Sequence, residues 1–248
     1  MRLASTLSRR GLLAAGAGLG LSAVCAPARA EEALVVVELF SSQGCSSCPP
    51  ADAFLTELRN LPRVLALTFH VDYWDYLGWK DTLAAPEFSQ RQYDYAKARG
   101  DMDVYTPQLI VNGERHFVGS QRDQVKAAIA AAHRTPLPVA MTLGRDKKEV
   151  VIEVGAGEAG VDGTVWLMPV MPNMRSKILK GEIAGMEIDY VNVVRKILPV
   201  GMWTGDAARF VLPVDGVIPP DCTSCVALLQ TGKVGRILGA AAWGEIGS

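Results

Sequence analysis

Two cysteines three residues apart, Cys45 and Cys48, stand between an apolar run and a proline-led stretch in "ALVVVELFSSQGCSSCPPADAFLTELRNL" (33–61). The run 33–40 is short and β-branched, the pattern of a buried strand. Behind Pro49 and Pro50, which suit a first helical turn, Phe54, Leu55 and Leu58 recur at helical spacing. A residue before proline avoids helical geometry, so the regular helix is predicted to start at Pro50. A C-x-x-C pair at a strand-to-helix junction leaves three chemistries open. It is a redox dithiol, a soft metal clip, or a bridge that staples a loop.

The next hundred residues keep alternating. "RVLALTFHV" (63–71) reads as a strand and "APEFSQRQYDYAKARG" (85–100) as a helix ended by Gly100. "PQLIVNGERHFVG" (107–119) is a hairpin turning at Asn112-Gly113, and "SQRDQVKAAIAAAHR" (120–134) is a helix capped by Ser120. The order over 31–135 is β-α-β-α-β-β-α. "RTPLP" (134–138) marks a boundary, and 136–248 reads as short alternating strands, a β-rich, sandwich-like second domain. The strand segments there are "VAMTL", "EVVIEV", "TVWLMPV", "YVNVVRKI", "RFVLPV", "VALLQ" and "RILGAAAW".

Residues 1–30 read as a cleaved export signal: a basic start, an apolar run from Gly11 to Val24, and Ala28-Arg29-Ala30 as the cleavage site. Arg9-Arg10 before Gly11-Leu12-Leu13 gives it a twin-arginine character. The expected location is periplasmic or secreted, with no membrane span in the mature chain. Removing the leader takes Cys25 and leaves four cysteines, Cys45, Cys48, Cys222 and Cys225, whose pairing the sequence does not choose. It also leaves 21 basic residues against 26 acidic ones, a net charge of −5, which gives nucleic-acid binding no support.

"ELFSSQGCSSCPPAD", "FHVDYWDYLGWKD" and "VYTPQLIVNG" together resemble a family of secreted thioredoxin-like proteins known mainly as a domain of unknown function. Weaker likeness continues through "KGEIAG", "NVVR" and "ILGAA". The resemblance implies a thioredoxin-like domain at 31–135. On that footing Cys45, preceding the helix, is the accessible nucleophile and Cys48 the resolving thiol, with the helix N-terminus favouring the thiolate. Glu38, seven residues before Cys45 in an apolar strand, stands for the buried acid that relays the resolving thiol's proton. Thr106-Pro107 falls where such folds place a cis-proline, and the Thr106 backbone would pair with an extended substrate. Tyr73 and Trp74 are candidates to shield the thiols or grip a peptide.

The leading expectation is a periplasmic thiol–disulfide oxidoreductase that needs no cofactor, serving exported client proteins with a membrane or periplasmic thiol partner. The alternative is a Cu(I) chaperone using Cys45, Cys48 and His70, with Met168, Met171 and Met174 as further soft donors. His70 is equally a candidate acid/base. A third reading is a binding module with a structural bridge. Cys222 and Cys225 form a second thiol pair: a structural disulfide, free thiols, or a relay only where folding brings the pairs together.

Overall fold

The computed structural model describes residues 33–246, so the expected leader at 1–30 lies outside the described residues. The fold is mixed α/β, with a large sheet outweighing three helices. The chain begins β1 (Val35–Ser41), α1 (Pro49–Arg59), β2 (Val64–His70), α2 (Pro86–Arg99), β3 (Gln108–Val111), β4 (Arg115–Val118) and α3 (Arg122–Ala132). A single 3₁₀ turn, Asp75–Leu77, lies between β2 and α2. Eight strands follow: β5 (Met141–Arg145), β6 (Glu149–Val154), β7 (Gly163–Lys177), β8 (Glu187–Val194), β9 (Leu198–Trp203), β10 (Ala208–Pro213), β11 (Ser224–Gln230) and β12 (Ile237–Trp243).

β1 is buried along its whole length and apolar but for Glu38 and Ser41, because both of its faces are covered. Val35, Val37 and Leu39 pack against Ala51, Phe54, Leu55 and Leu58 of α1 and Val125 and Ile129 of α3. Val36 and Phe40 face the other way, toward Phe69 and toward Phe88 and Tyr95 of α2. Burial of each large apolar side chain in these layers contributes roughly 1.5–3 kcal/mol. β1 runs parallel to β2, from Val35 opposite Val64 to Ser41 opposite His70, and antiparallel to β3. Ser41 and His70 therefore end neighbouring strands side by side, on the face that α1 covers.

The large sheet has nine strands in the order β12-β11-β7-β8-β2-β1-β3-β4, with β9 paired to β7. Strands from both sides of "RTPLP" share it, and the joint is β8 running parallel to β2. Side chains close that joint: Thr68 donates to Val191 O (2.7 Å), and Asn192 donates to Ala66 O (2.8 Å) and Ile246 O (2.6 Å). Asn192 adopts φ +47°, which re-aims β8 there. The other strands, β10-β6-β5, form a small antiparallel sheet. Its Val150, Ile152 and Val154 pack on Val165, Leu167, Ala227 and Leu229 of β7 and β11.

Three details depart from the sequence expectations. Helix α1 starts at Pro49, and Cys48 itself is helical (φ −78°, ψ −37°) despite the proline after it. Its carbonyl accepts from Ala51 N (2.8 Å) and Asp52 N (3.1 Å), which opens the helix one residue early. β9 is a strand where "LPVGMW" gave no strand pattern, because Pro199 and Gly201 interrupt the alternation. Gly201 has a packing reason: a Cβ there would sit 2.6 Å from the Phe210 ring. Finally, Arg122 rather than Ser120 opens α3, with Gln121 at the cap and no side-chain cap bond.

Candidate active site at the Cys45–Cys48 disulfide

Loop 42–48 leaves the carboxyl end of β1 and delivers both cysteines to the head of α1. Cys45 and Cys48 are joined as a disulfide with their Cα atoms 5.4 Å apart. Backbone bonds from Cys45 N to Ser42 O and from Cys48 N to Cys45 O shape the turn (both 3.2 Å). The sulfurs sit at the positive end of the helix, where thiolate charge is stabilised once the bridge opens.

Cys45 was expected to be the thiol a substrate reaches, but both cysteines are 0% exposed, and only Ser46 and Ser47 of the loop face solvent. The segment after β2 packs against this loop. Trp74 passes so close to Gly44 that a Cβ on the glycine would lie 2.9 Å from the Trp74 Cβ. From there the indole Nε1 donates to Thr106 Oγ1 (2.8 Å). Ser47 Oγ lies 3.4 Å from Cys45 Sγ and donates to Thr106 O at 3.5 Å. The Thr106–Pro107 peptide bond is cis, and Pro107 O accepts from Gly119 N (2.9 Å). Trp74, Thr106, Pro107 and the disulfide are thus brought together. Tyr73 packs beside Trp74, its hydroxyl donating to Gln92 Oε1 (3.1 Å), and burial pushes its phenol up to about 12.

Glu38 does not take the role expected of it. Its side chain shares a face with those of Val36 and Phe40, so it lies on the α2 face of the sheet, while Cys48 begins α1 on the other. There Arg91 Nε donates to Glu38 Oε1 (2.8 Å) and Tyr95 OH to Oε2 (2.5 Å). Gln230 of β11 completes the group, accepting from Arg91 Nη2 (2.7 Å) and donating to Tyr95 OH (2.8 Å). Glu38 is a buried ion-pair partner that ties α2 to the sheet.

The acids behind the disulfide are Asp52 and Asp81, neither of which the sequence reading singled out. His70 is fully buried at the end of β2, with Nδ1 2.8 Å from Asp81 Oδ2. The same oxygen accepts from Gln43 N (2.7 Å), and Asp81 Oδ1 accepts from Leu83 N (2.8 Å). Burial alone would raise the Asp81 carboxyl, but the His70 charge and these hydrogen bonds hold it below the ordinary range. Asp52, on the sheet-facing side of α1, is buried with neither carboxylate oxygen hydrogen-bonded. Burial pushes it up to about 7, against the lowering effect of His70 and of the Ser41 hydroxyl, which closes no well-formed bond to it; Asp81 adds to the rise. Tyr190 of β8 stacks edge-on to His70 at 4.5 Å, its phenol raised by burial and by Asp52 and Asp81. Ser41 Oγ, His70 Nε2 and Tyr190 OH have no partner either.

One signal for Asp52 was present: it is an acid on the apolar stripe of α1, between Ala51 and Leu55. Asp81 lies in an irregular loop and Tyr190 is 120 residues from His70, so neither has a local sequence signal.

The remaining candidates lie elsewhere. Cys222 and Cys225 are free, buried thiols in the core between the two sheets, raised by burial to about 12 and about 11. β11 stands four strand positions from β1, or about 19 Å along the sheet, so the fold does not bring the two cysteine pairs together. Met168 lies in the core around Phe40, whereas Met171 and Met174 pack beside Tyr190, so the three thioethers do not form one cluster. Among the described residues no group of three or more His, Cys, Asp or Glu has metal-holding geometry, and no helix is long and apolar enough to cross a membrane.

Residues 36–230 match the family described as a protein of unknown function, DUF1223. The chain belongs to the DUF1223 family. A crystal structure of a protein from Agrobacterium tumefaciens resembles this DUF1223 chain at 36% identity and a TM-score of 0.76, over 86% of this chain and 95% of that one. HBP35 of Porphyromonas gingivalis resembles it in fold, at 16% identity and a TM-score of 0.59, over 86% of this chain and 75% of the other. No curated protein matches the chain.

Proposed function

We propose that this DUF1223 protein is a thiol–disulfide oxidoreductase working in an oxidising compartment outside the cytoplasm. Its first half is read as a thioredoxin-like core elaborated by the β-rich second half. The observation that carries the reading is a C-x-x-C disulfide at the head of a helix, linked through Ser47 to the Thr106 carbonyl of the cis Thr106–Pro107 bond. That combination offers a switchable sulfur pair and a strand-like edge against which an extended peptide can pair. Cys45 is the attacking thiol and Cys48 the resolving one. Clients are exported proteins, with a periplasmic or membrane thiol partner restoring the pair. Exchange requires the loop to open, since both cysteines are buried, and the Trp74–Thr106 bond is the contact proposed to break.

Turnover of a protein disulfide such as insulin, with Cys45→Ser as the control, tests this. Catalysis well above the variant supports the reading, and equal rates remove it. Cu(I) carriage through the reduced pair is the competing assignment. Tight one-to-one uptake under a competing chelator, lost in Cys45→Ser, favours it over exchange.

A further inference from the structure

The polar group buried beneath the disulfide calls for a role, because five of its atoms have no partner and such orphans cost roughly 1–3 kcal/mol each. We propose that Asp52 is the proton acceptor for Cys48 during exchange, with His70 and Asp81 positioning and balancing it. The proposal rests on the thiol–disulfide reading above and replaces Glu38 in the relay.

Geometry places Asp52 for this task. Cys48 has helical backbone angles and its carbonyl takes the Asp52 N–H, so residues 48 and 52 are true helical neighbours. Side chains four apart on a helix share a face, with Cβ atoms about 5–6 Å apart. The Cα–Cβ bond tilts toward the helix N-terminus, so the Asp52 carboxyl leans back over the turn that holds Cys48. Both residues are buried, so solvent does not compete for the proton. The groups facing Asp52 come from every element around it: Cys48 from its own helix, Ser41 from β1, His70 from β2, Asp81 from the following loop and Tyr190 from β8.

His70 and Asp81 complete the arrangement. Asp81 fixes the ring through Nδ1, and Nε2 stays buried without a partner, as the Asp52 carboxyl does. The imidazole attracts the Asp52 carboxylate and partly offsets burial, which keeps Asp52 ionisable close to neutral pH rather than permanently protonated.

The step balances as follows. In the dithiol form the Cys45 thiolate attacks a client disulfide, forming the Cys45–client bond and expelling one client thiolate. Cys48 gives its proton to Asp52, attacks Cys45 Sγ and displaces the second client thiolate. The protein dithiol loses two electrons, the client disulfide gains them, and the Cys48 proton, held first on Asp52, ends on the departing client thiolate. In the opposite direction Asp52 returns the proton to Cys48.

The test uses chemically reduced full-length protein and 5,5′-dithiobis(2-nitrobenzoate) under single-turnover conditions. The first thionitrobenzoate release reports attack by Cys45. The second, identified by its loss in Cys48→Ser, reports resolution by Cys48. In wild type the resolution rate rises with pH through a midpoint near 7. In Asp52→Asn it falls by about 100-fold or more at pH 7 and loses that inflection, since positioned acid–base groups are worth about 10²–10⁴-fold. His70→Gln moves the midpoint upward, because the attraction lowering Asp52 is gone. An Asp52→Asn resolution rate within about threefold of wild type overturns the assignment, being far short of an acid–base contribution. So does a wild-type resolution phase that is missing or flat between about pH 5.5 and 8.5, which spans the Asp52 midpoint; this outcome needs no variant to fold. The reagent is not a client, so insulin turnover can fail while the relay stands, and the relay can fail while turnover stands.

Discussion

Asp52→Asn makes a stability prediction that is independent of any activity. Burial lifts the carboxyl from 3.8 to about 7, a difference of about three pKa units or ~4 kcal/mol. The folded state therefore holds the proton more tightly than the unfolded chain. The sign follows from that: the contribution is fully present below about pH 4 and drains away as pH rises to about 7. Above that, the native protein carries the cost of a buried carboxylate that His70 offsets only in part, whereas Asn is nearly isosteric and never ionises. Urea unfolding with the disulfide intact, repeated from about pH 4 to 8, isolates this group as the difference between the two proteins. The variant should match wild type near pH 4 and exceed it by ~4 kcal/mol at pH 8, an increase of about 1.3–2 M in midpoint for an m-value near 2–3 kcal/mol/M. A variant that is less stable at pH 8, or a difference that does not change with pH, would refute the assignment of Asp52 as a buried, strained acid.

Four further tests rest on the same packing. Trp74→Ala removes the cover that reaches from Gly44 to Thr106, and the rate of disulfide reduction by dithiothreitol should rise several-fold with little loss of stability; an unchanged rate means the indole does not gate access. Glu38→Gln leaves the Arg91 guanidinium buried without its counter-charge and should cost about 3–5 kcal/mol in chemical denaturation. Gly113→Ala puts a methyl 1.9 Å from Gly235 O at a φ of +74°, so a loss of at least ~3 kcal/mol is expected, and a near-neutral result would mean the turn is free to shift. Cys222 and Cys225 should resist iodoacetamide at pH 8 in the folded protein and react fully after unfolding, as burial holds both thiols protonated.

The elements of the first half were legible because periodicity and punctuation agreed there. Asn112-Gly113 turns the β3–β4 hairpin with both residues in the left-handed region, and Gly100 ends α2 in the same conformation. What the sequence hid was long-range pairing. That β8 lies beside β2 depends on Thr68 reaching Val191 and Asn192 reaching Ala66, more than 120 residues apart. The same holds within the site. The cysteine pair, Trp74 and Thr106-Pro107 are visible in local motifs. Placing the two buried acids needed the strand's facing, which sends Glu38 to Arg91 and leaves Asp52 one helical turn after Cys48. His70 was visible as chemistry, but its partner Asp81 and its neighbour Tyr190 become apparent only when loop and strand are packed together.

The central claim is that Cys45–Cys48 is a pair poised for exchange rather than a staple, and its equilibrium reduction potential in defined thiol buffers addresses that most directly. The exchange account predicts a value between about −270 and −120 mV, the span of proteins that trade disulfides. A value below about −300 mV, where structural bridges lie, would contradict it.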